Sequence, residues 1–334
     1  MDRLLVTGGL GFIGSNFIHH QISRSPESYI INVDSMSYGS NPNNLTDVQS
    51  NPRYRFEKCD LRNSEQISKI IKQVELVVNF AAETHVDRSI ANPTAFLESN
   101  VIGTHTLLEA SRKADIRKFI QISTDEVYGS ASINESFDEN SRVNPSSPYS
   151  ASKAAADFFA VAYHKTYGLP ISILRCTNNF GPFQSPEKFI PKSIIRASLD
   201  KLIAVYGDGS QIRDWICVKD FCEAISLAIE HGSPGNIYNV SAGNEIANIE
   251  VVKKILELLK KSTGLIQYVE DRPGHDIRYS LDSHIIKERL GWAPHFTFEE
   301  ALELTLNWYL VNKNWWEPLL DEKILSPTPW KEKW

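Results

Sequence analysis

The stretch Val6-Thr7-Gly8-Gly9-Leu10-Gly11-Phe12-Ile13-Gly14 decides the fold. It follows a short apolar strand, Arg3–Thr7, and opens a helix expected over Gly14–Ser23. Two glycine patterns overlap in it, G-x-G-x-x-G at Gly9, Gly11 and Gly14, and G-x-x-G-x-x-G at Gly8, Gly11 and Gly14. Both meet one physical need. A tight strand-to-helix turn must lay bare backbone against a pyrophosphate, whose charge then sits on the helix N-terminus. A Cβ at these positions blocks the turn or the close packing. Asp34 follows the second strand, Tyr29–Val33, 20 residues beyond Gly14. A carboxylate there accepts from both hydroxyls of an adenosine ribose and repels a 2′-phosphate, which favours NAD over NADP. Asp60, after the third strand Tyr54–Lys58, either reaches an adenine edge or is a solvated turn residue.

Working outward, the same alternation continues. Strands are expected at Leu76–Phe80, Lys118–Ser123 and Pro170–Arg175, with helices at Ser64–Gln73, Asn100–Ala114 and Ser150–Tyr167. Strand-helix alternation with nearly continuous apolar strands predicts an α/β fold: a doubly wound, Rossmann-type parallel sheet covered on both faces. After Asn178 the rhythm breaks. Asn178–Pro191 carries Pro182, Pro186 and Pro191 and reads as a loop leaving the sheet. Asp220–His231 reads as a helix and Gly235–Ser241 as a strand, both returning to the sheet. Two units are therefore expected. One is an NAD-binding unit over 1–177, completed by about 214–242. The other is a smaller mixed α/β substrate unit over 178–213 and 243–334, with an amphipathic helix at Glu250–Ser262. The tail is rich in Trp and Pro, including Trp315, Trp316, Trp330 and Trp334, and no role for it is readable.

Composition bounds the partners. The 334 residues are 42% hydrophobic and 23% charged, enough for a sizeable core. A net charge of -6 without basic blocks excludes nucleic acid as the expected partner. No apolar run approaches the ~20 residues that span a bilayer, so no membrane role is expected. Cys59, Cys176, Cys217 and Cys222 fit no metal-ligand spacing and read as free thiols of a cytoplasmic protein; no metal is expected.

Two further motifs carry chemistry. Tyr149 and Lys153 stand four apart, on one face near the start of a helix signalled by Ser146-Ser147-Pro148. An ammonium beside a phenol favours the phenolate, so Tyr149 is expected to be a low-pKa base. The second motif, Ser123-Thr124-Asp125-Glu126, ends an apolar strand, and the carboxyl ends of such strands face the crevice of an open sheet. Thr124 can hydrogen-bond a reacting oxygen. Asp125 and Glu126 can divide into acid and base if their surroundings split their pKa values. The plain alternatives are an exposed helix pair and a solvated, helix-capping loop.

With these motifs on the page the chain resembles the extended short-chain dehydrogenase/reductase family, and within it the nucleotide-sugar 4,6-dehydratases. The resemblance runs through VTGGLGFIGSN from Val6, AAETHVDRSI from Ala81, STDEVYG from Ser123, and PYSASKAAAD from Pro148. It continues through TNNFGPFQSPEKFIP from Thr177, VYGDGSQIRDWICVKD from Val205, and DRPGHDIRY from Asp271. It implies a catalytic set of Thr124, Asp125, Glu126, Tyr149 and Lys153 working on a nucleoside diphosphate glucose, dTDP-glucose in the first instance. Tyr149 would deprotonate the C4 hydroxyl while hydride passes to NAD. Glu126 would then take the C5 proton and Asp125 would protonate the departing C6 hydroxyl, before hydride returns to C6. NAD contacts are implied at Gly8, Gly11, Phe12, Ile13, Gly14, Asp34, Asp60 and Leu61. Others are implied at Phe80, Ala81, Ala82, Thr84, Ser99, Tyr149, Lys153 and Asn179. Substrate contacts are implied at Thr84, His85, Thr124, Asn178, Lys188, Phe189, Val205 and Tyr206, and at Arg213, Asn248, Asp271, Arg272 and His275. Arg213 suits a diphosphate clamp, because its planar fork matches phosphate oxygens; its plain alternative is an ion pair with Asp214 or Asp220.

Departures from the family pattern are small. Thr84 stands for a usual Ser, Phe180 and Phe183 stand for Tyr, and Cys217 for an aromatic residue. The family implies a homodimer joined through Asn100–Ala114 and the apolar helix Ser150–Tyr167. Three other functions compete. A UDP-glucose 4,6-dehydratase would differ in the base it accepts. A UDP-sugar 4-epimerase would share the glycines, Asp34, Tyr149 and Lys153 but has no need of two carboxylates after Thr124. A non-catalytic NAD-binding protein would need none of the catalytic set.

Overall fold

In the computed structural model, residues 2–321 and 323–332 are described; Trp334 of the tail lies outside them. The strands in chain order are β1 (Arg3–Thr7), β2 (Tyr29–Asp34), β3 (Tyr54–Lys58), β4 (Leu76–Asn79), β5 (Lys118–Thr124) and β6 (Ile171–Cys176). After them come β7 (Asn178–Phe180), β8 (Ile203–Tyr206), β9 (Ile212–Cys217), β10 (Ile237–Val240), β11 (Glu245–Ala247) and β12 (Ile266–Val269). Seven form a sheet in the order β10-β6-β5-β4-β1-β2-β3, every pairing parallel. Two small sheets, β11-β9-β7 and β12-β8, stand beside it. The expected doubly wound parallel sheet is what forms.

Strand alternation builds two cores, one on each face. Leu4, Val6, Ile30, Val78 and Ile120 enter one cluster, while Leu5, Ile31, Val33, Val77 and Phe119 enter the other. A third cluster, around Phe180, Ile194, Trp215, Val252 and Phe298, fills the smaller lobe. Polar residues at the strand ends are bonded to one another. Thr7 Oγ1 donates to Asn79 Oδ1 at 2.6 Å, and Asn79 Nδ2 donates to Gln121 Oε1 at 2.9 Å. This locks β1, β4 and β5 in register just below the crevice.

Two local expectations need correction. Asn178–Pro191 is not all loop. Its first residues form β7, parallel to β9, and a helix begins at Phe189. Pro191 fits that helix because it lies in the first turn, where its missing N–H has no acceptor to lose. The helix expected at Asn100–Ala114 starts earlier, as a π-helical segment Leu97–Gly103 that passes into an α-helix over Thr104–Lys113. All four cysteines are buried free thiols. No described helix is long and apolar enough to cross a membrane.

Candidate active site

The carboxyl ends of β1, β2, β4, β5 and β6 open into a cleft of about 710 Å³. A smaller cavity of about 190 Å³ adjoins it, with Thr84, His85, Glu126, Asn178 and Lys188 on the wall of both.

The glycine turn resolves the overlap of the two patterns. Gly8, Gly11 and Gly14 line the cleft; Gly9 does not. Gly8 has φ +67°, and a Cβ there would lie 2.8 Å from the Ala81 backbone. A Cβ on Gly14 would lie 2.5 Å from the Gly8 carbonyl oxygen, and one on Gly9 would lie 2.2 Å from Asn32 Oδ1. Gly9 is thus a packing glycine. A Cβ on Gly11 would meet Gly8 O alone, at 3.2 Å, so its other side is open. That bare backbone at the N-cap of Phe12–Arg24 fits a pyrophosphate. Asp34 is buried and pre-oriented: Oδ2 accepts from the Leu10 N–H at 3.1 Å, and Oδ1 accepts from the Met36 N–H at 2.8 Å and Ser40 Oγ at 2.6 Å. Asp60 lines the cleft too, but its carboxylate is gripped by Arg62, with Nη2 at 2.7 Å. Phe12, Ile13, Leu61, Phe80, Ala81, Ala82, Ser99 and Asn179 also lie on its wall.

The catalytic candidates converge. β5 ends at Thr124, whose Oγ1 accepts from the Glu126 N–H at 3.3 Å and donates to Asp125 Oδ1 at 3.0 Å. The Ser147–Ser150 capping box starts the helix Pro148–Tyr167, which brings Tyr149 and Lys153 beside them. Asn100 braces this corner by donating to Ser152 Oγ (2.8 Å) and to the Glu83 carbonyl (3.0 Å).

The two carboxyls differ electrostatically. Asp125 is held well above the usual carboxylate range, first by burial and then by the charge of Glu126. Glu126 is raised by burial as well, but the guanidiniums of Arg272 and Arg213 pull it back. Both are raised, but the nearby guanidiniums oppose the rise at Glu126, whereas at Asp125 the Glu126 charge adds to it. The expectation for Tyr149 fails in sign. Its phenol is pushed well above the usual value by burial and by the Glu126 charge. Lys153 does not offset this, because Nζ donates to the Ile122 carbonyl at 2.7 Å and burial lowers its own pKa.

The smaller cavity gathers most of the substrate candidates. Arg213 donates to the carbonyls of Ile212 (2.7 Å) and Asp276 (2.9 Å), with its guanidinium 4.1 Å from the Tyr279 ring centroid. It pairs with neither Asp214 nor Asp220. Those carboxylates accept from Asn244 and from His295 and Phe296 backbone N–H groups instead. Arg272 Nη1 donates to Asp87 Oδ1 at 2.7 Å, and Tyr206 OH donates to Asp87 Oδ2 at 3.1 Å. Lys188, Phe189, Asn248 and His275 line the cavity.

Two candidates are placed otherwise. Val205 is fully buried in the small-lobe core and does not line the cavity, although its strand neighbours Ile203, Ala204 and Tyr206 do. Asp271 lines neither cavity. Its Oδ1 lies 2.6 Å from His275 Nδ1 and its Oδ2 accepts from Gln211 Nε2 at 2.9 Å, so it orients His275. Asp87, Glu187 and Tyr38 were passed over in the sequence. Glu187 is buried between Tyr38, whose OH donates to it at 2.7 Å, and His85 Nε2 at 3.6 Å. The signal available was position: Asp87 and Glu187 lie inside AAETHVDRSI and SPEKFIP.

Several buried polar atoms on these walls have no protein partner: Asp125 Oδ2, Asn178 Oδ1, Asn179 Oδ1, Asn248 Oδ1 and Arg272 Nε. Buried polar groups are normally satisfied, so these mark where ligand atoms belong. Both Phe replacements sit in aromatic packing: Phe180 is fully buried against Trp215 and Phe298, and Phe183 packs on Trp308.

Comparison with known proteins gives the family. The family model for GDP-mannose 4,6 dehydratase matches residues 5–305. The dTDP-glucose 4,6-dehydratase of Escherichia coli is 45% identical over 96% of each chain. The solved structure of DesIV, a dTDP-glucose 4,6-dehydratase from Streptomyces venezuelae with NAD and dTDP bound, superposes with a TM-score of 0.93. It is 43% identical and covers 95% of this chain and 100% of its own. The UDP-glucose 4-epimerase of Thermus thermophilus, solved with NAD, is more distant, at 30% identity and TM-score 0.86 over 93% of this chain and 99% of its own. The chain belongs to the GDP-mannose 4,6 dehydratase family, and within it stands with the dTDP-glucose 4,6-dehydratases.

Proposed function

We propose that this protein is an NAD-dependent hydro-lyase that converts dTDP-glucose into dTDP-4-keto-6-deoxyglucose and water. One observation carries the reading: two buried carboxyls, Asp125 beside the Glu126 charge and Glu126 facing Arg272 and Arg213, stand side by side at the end of β5 next to Tyr149. Epimerisation at C4 has no use for such a pair. The open glycine backbone, Asp34, Tyr149 and Lys153 hold NAD, within residues 1–177 completed by about 214–242. NAD, when bound, accepts hydride from C4, returns it to C6, and carries a positive ring charge that favours the Tyr149 phenolate.

The chain's own groups move the protons. Tyr149 takes the C4 hydroxyl proton while Thr124 hydrogen-bonds that oxygen. The 4-keto group acidifies C5, and Glu126 takes the C5 proton. Asp125, kept neutral by its surroundings, gives its proton to the C6 hydroxyl, which departs as water. Glu126 then returns a proton to C5. Arg213, Arg272, Lys188, Asn178 and Asn248 bind the nucleotide sugar from the second lobe, formed by 178–213 and 243–334.

The direct test is incubation with dTDP-glucose and with UDP-glucose, each without added NAD. Conversion of dTDP-glucose to a product with the alkaline absorbance of a 4-keto sugar is expected. Formation of an epimerised hexose, or no conversion of either donor, overturns the proposal. The pKa directions set a second expectation. kcat/KM should fall on the acid side as Glu126 is protonated, and on the alkaline side as Asp125 loses its proton. An alkaline side with no decline up to the onset of unfolding removes Asp125 from the acid role.

The protein works as a cytoplasmic homodimer in this reading. Its four thiols are buried and free, and Leu97, Ile102 and Phe158 present exposed apolar surface on the two helical segments expected to pair.

A further inference from the structure

The family model stops at residue 305, yet the Trp-rich tail beyond it lines the large cleft and packs on Tyr206 of the small cavity's wall. Trp315 Nε1 donates to Asn44 Oδ1 at 2.9 Å, and Asn44 Nδ2 donates to the Leu10 carbonyl within the glycine turn, also at 2.9 Å. Leu319, Asp321 and Ile324 then line the large cleft. From there the chain crosses the helix Phe189–Ser198. Arg196 Nη1 donates to the Leu325 carbonyl and Lys192 Nζ donates to the Ser326 carbonyl, each at 2.8 Å. The last turn, Pro329–Lys331, packs on Val86–Ala91, the helix that carries Asp87. Lys331 Nζ donates to Glu270 Oε2, directly before the Asp271–His275 loop.

The buried Trp330 sits at the centre of this contact. Its ring meets Tyr206 edge-to-face, with centroids 4.9 Å apart. Tyr206 lines the small cavity, packs edge-on against His275 (6.2 Å), and donates to Asp87, the carboxylate that also holds Arg272. Trp330 itself does not line the cavity. A hydroxyl bond alone leaves the Tyr206 ring free to turn about that bond; two perpendicular aromatic neighbours remove the freedom. Fixing a ring before ligand arrives reduces the ordering cost of binding.

We propose that the tail residues 313–321 and 323–332 are a strap that walls the large cleft and backs the nucleotide-sugar cavity from outside, and that Trp330 is its positioning residue, acting through Tyr206. The inference rests on the substrate site proposed above and deepens it: the strap serves affinity for the nucleotide and leaves the chemistry at Thr124, Asp125 and Glu126 alone.

The test compares wild type, Trp330→Ala and Trp330→Phe. dTDP is titrated calorimetrically, and kcat and KM for dTDP-glucose and the bound NAD content are measured. Loss of the aromatic partner should weaken dTDP and raise KM by about tenfold, with kcat within about twofold and NAD content unchanged. Trp330→Phe keeps an edge-to-face partner and should stay within about threefold of wild type. In wild type, dTDP should slow amide hydrogen exchange across 324–332. Three results overturn the strap: dTDP affinity in Trp330→Ala within about twofold of wild type, Trp330→Phe no better than Trp330→Ala, or exchange in 324–332 indifferent to dTDP. If wild type bound dTDP with this Trp330 dependence but left dTDP-glucose unconverted, the strap would stand and the dehydratase reading would fall.

Discussion

Glu126→Gln should lower kcat for dTDP-glucose by about 10²–10⁴, the range a positioned general base contributes. The change keeps the side chain's size and removes its capacity to take and return the C5 proton. A second readout isolates that step. In deuterated water the wild-type enzyme should exchange the C5 hydrogen of the 4-keto product, and Glu126→Gln should not. Asp125→Asn should also lose dehydration, because it has no proton to give the C6 hydroxyl, yet it should keep C5 exchange. The two variants thus part on one measurement. C5 exchange at the wild-type rate in Glu126→Gln would take the base role from this residue. Coupling within the site sets a further expectation. Since the Glu126 charge raises both Asp125 and Tyr149, its removal should bring both of those groups down toward their ordinary ranges.

Arg175→Met should destabilise the protein by about 3–5 kcal/mol, the cost of leaving one partner of a buried ion pair uncompensated. Arg175 Nε donates to Asp157 Oδ2 at 2.9 Å, and both side chains are almost wholly out of solvent. Ser123 Oγ donates to the same carboxylate oxygen at 2.9 Å. Arg175 Nη1 continues to Tyr128 OH at 2.7 Å, which donates to Asn239 Oδ1 at 2.9 Å. One network therefore ties β6, the end of β5, the turn that carries Glu126, β10, and the helix that carries Tyr149 and Lys153. Urea unfolding followed by circular dichroism checks the magnitude. The double variant Arg175→Met with Asp157→Leu should recover a large part of the loss, because no charge is then stranded. A single-variant loss under about 1 kcal/mol, the size seen for exposed pairs, would mean that water reaches Asp157.

Much of the site was legible because its signals are local. The spacing of Tyr149 and Lys153 sets them on one helical face whatever surrounds them. The glycine turn and Asp34 likewise lie on the cleft wall. Of the two overlapping glycine patterns, however, the choice depended on Asn32, which occupies the space a Gly9 side chain would need. Asn178–Phe180 was hidden as a strand because three prolines nearby suggest loop, and its partner β9 lies more than thirty residues later. Val205 was drawn into the substrate set by its neighbours, and it is buried in the small-lobe core instead.

By itself the sequence determined the parallel sheet, the glycine turn that opens the first helix, the carboxylate of Asp34 at the end of β2, and the presence of a phenol, an amine and two carboxyls at the crevice. Glycine φ preference, helical periodicity and strand alternation act over a few neighbouring residues, so they can be read without knowing what packs nearby. Tertiary structure alone decided that burial and the Glu126 charge raise Asp125, that Arg272 and Arg213 temper the rise at Glu126, that Tyr149 is raised rather than lowered, and that Trp330 of the tail packs on Tyr206. Those properties come from burial and from charges such as Arg213 and Arg272, which lie far along the chain and reach the site only when the second lobe folds against the first.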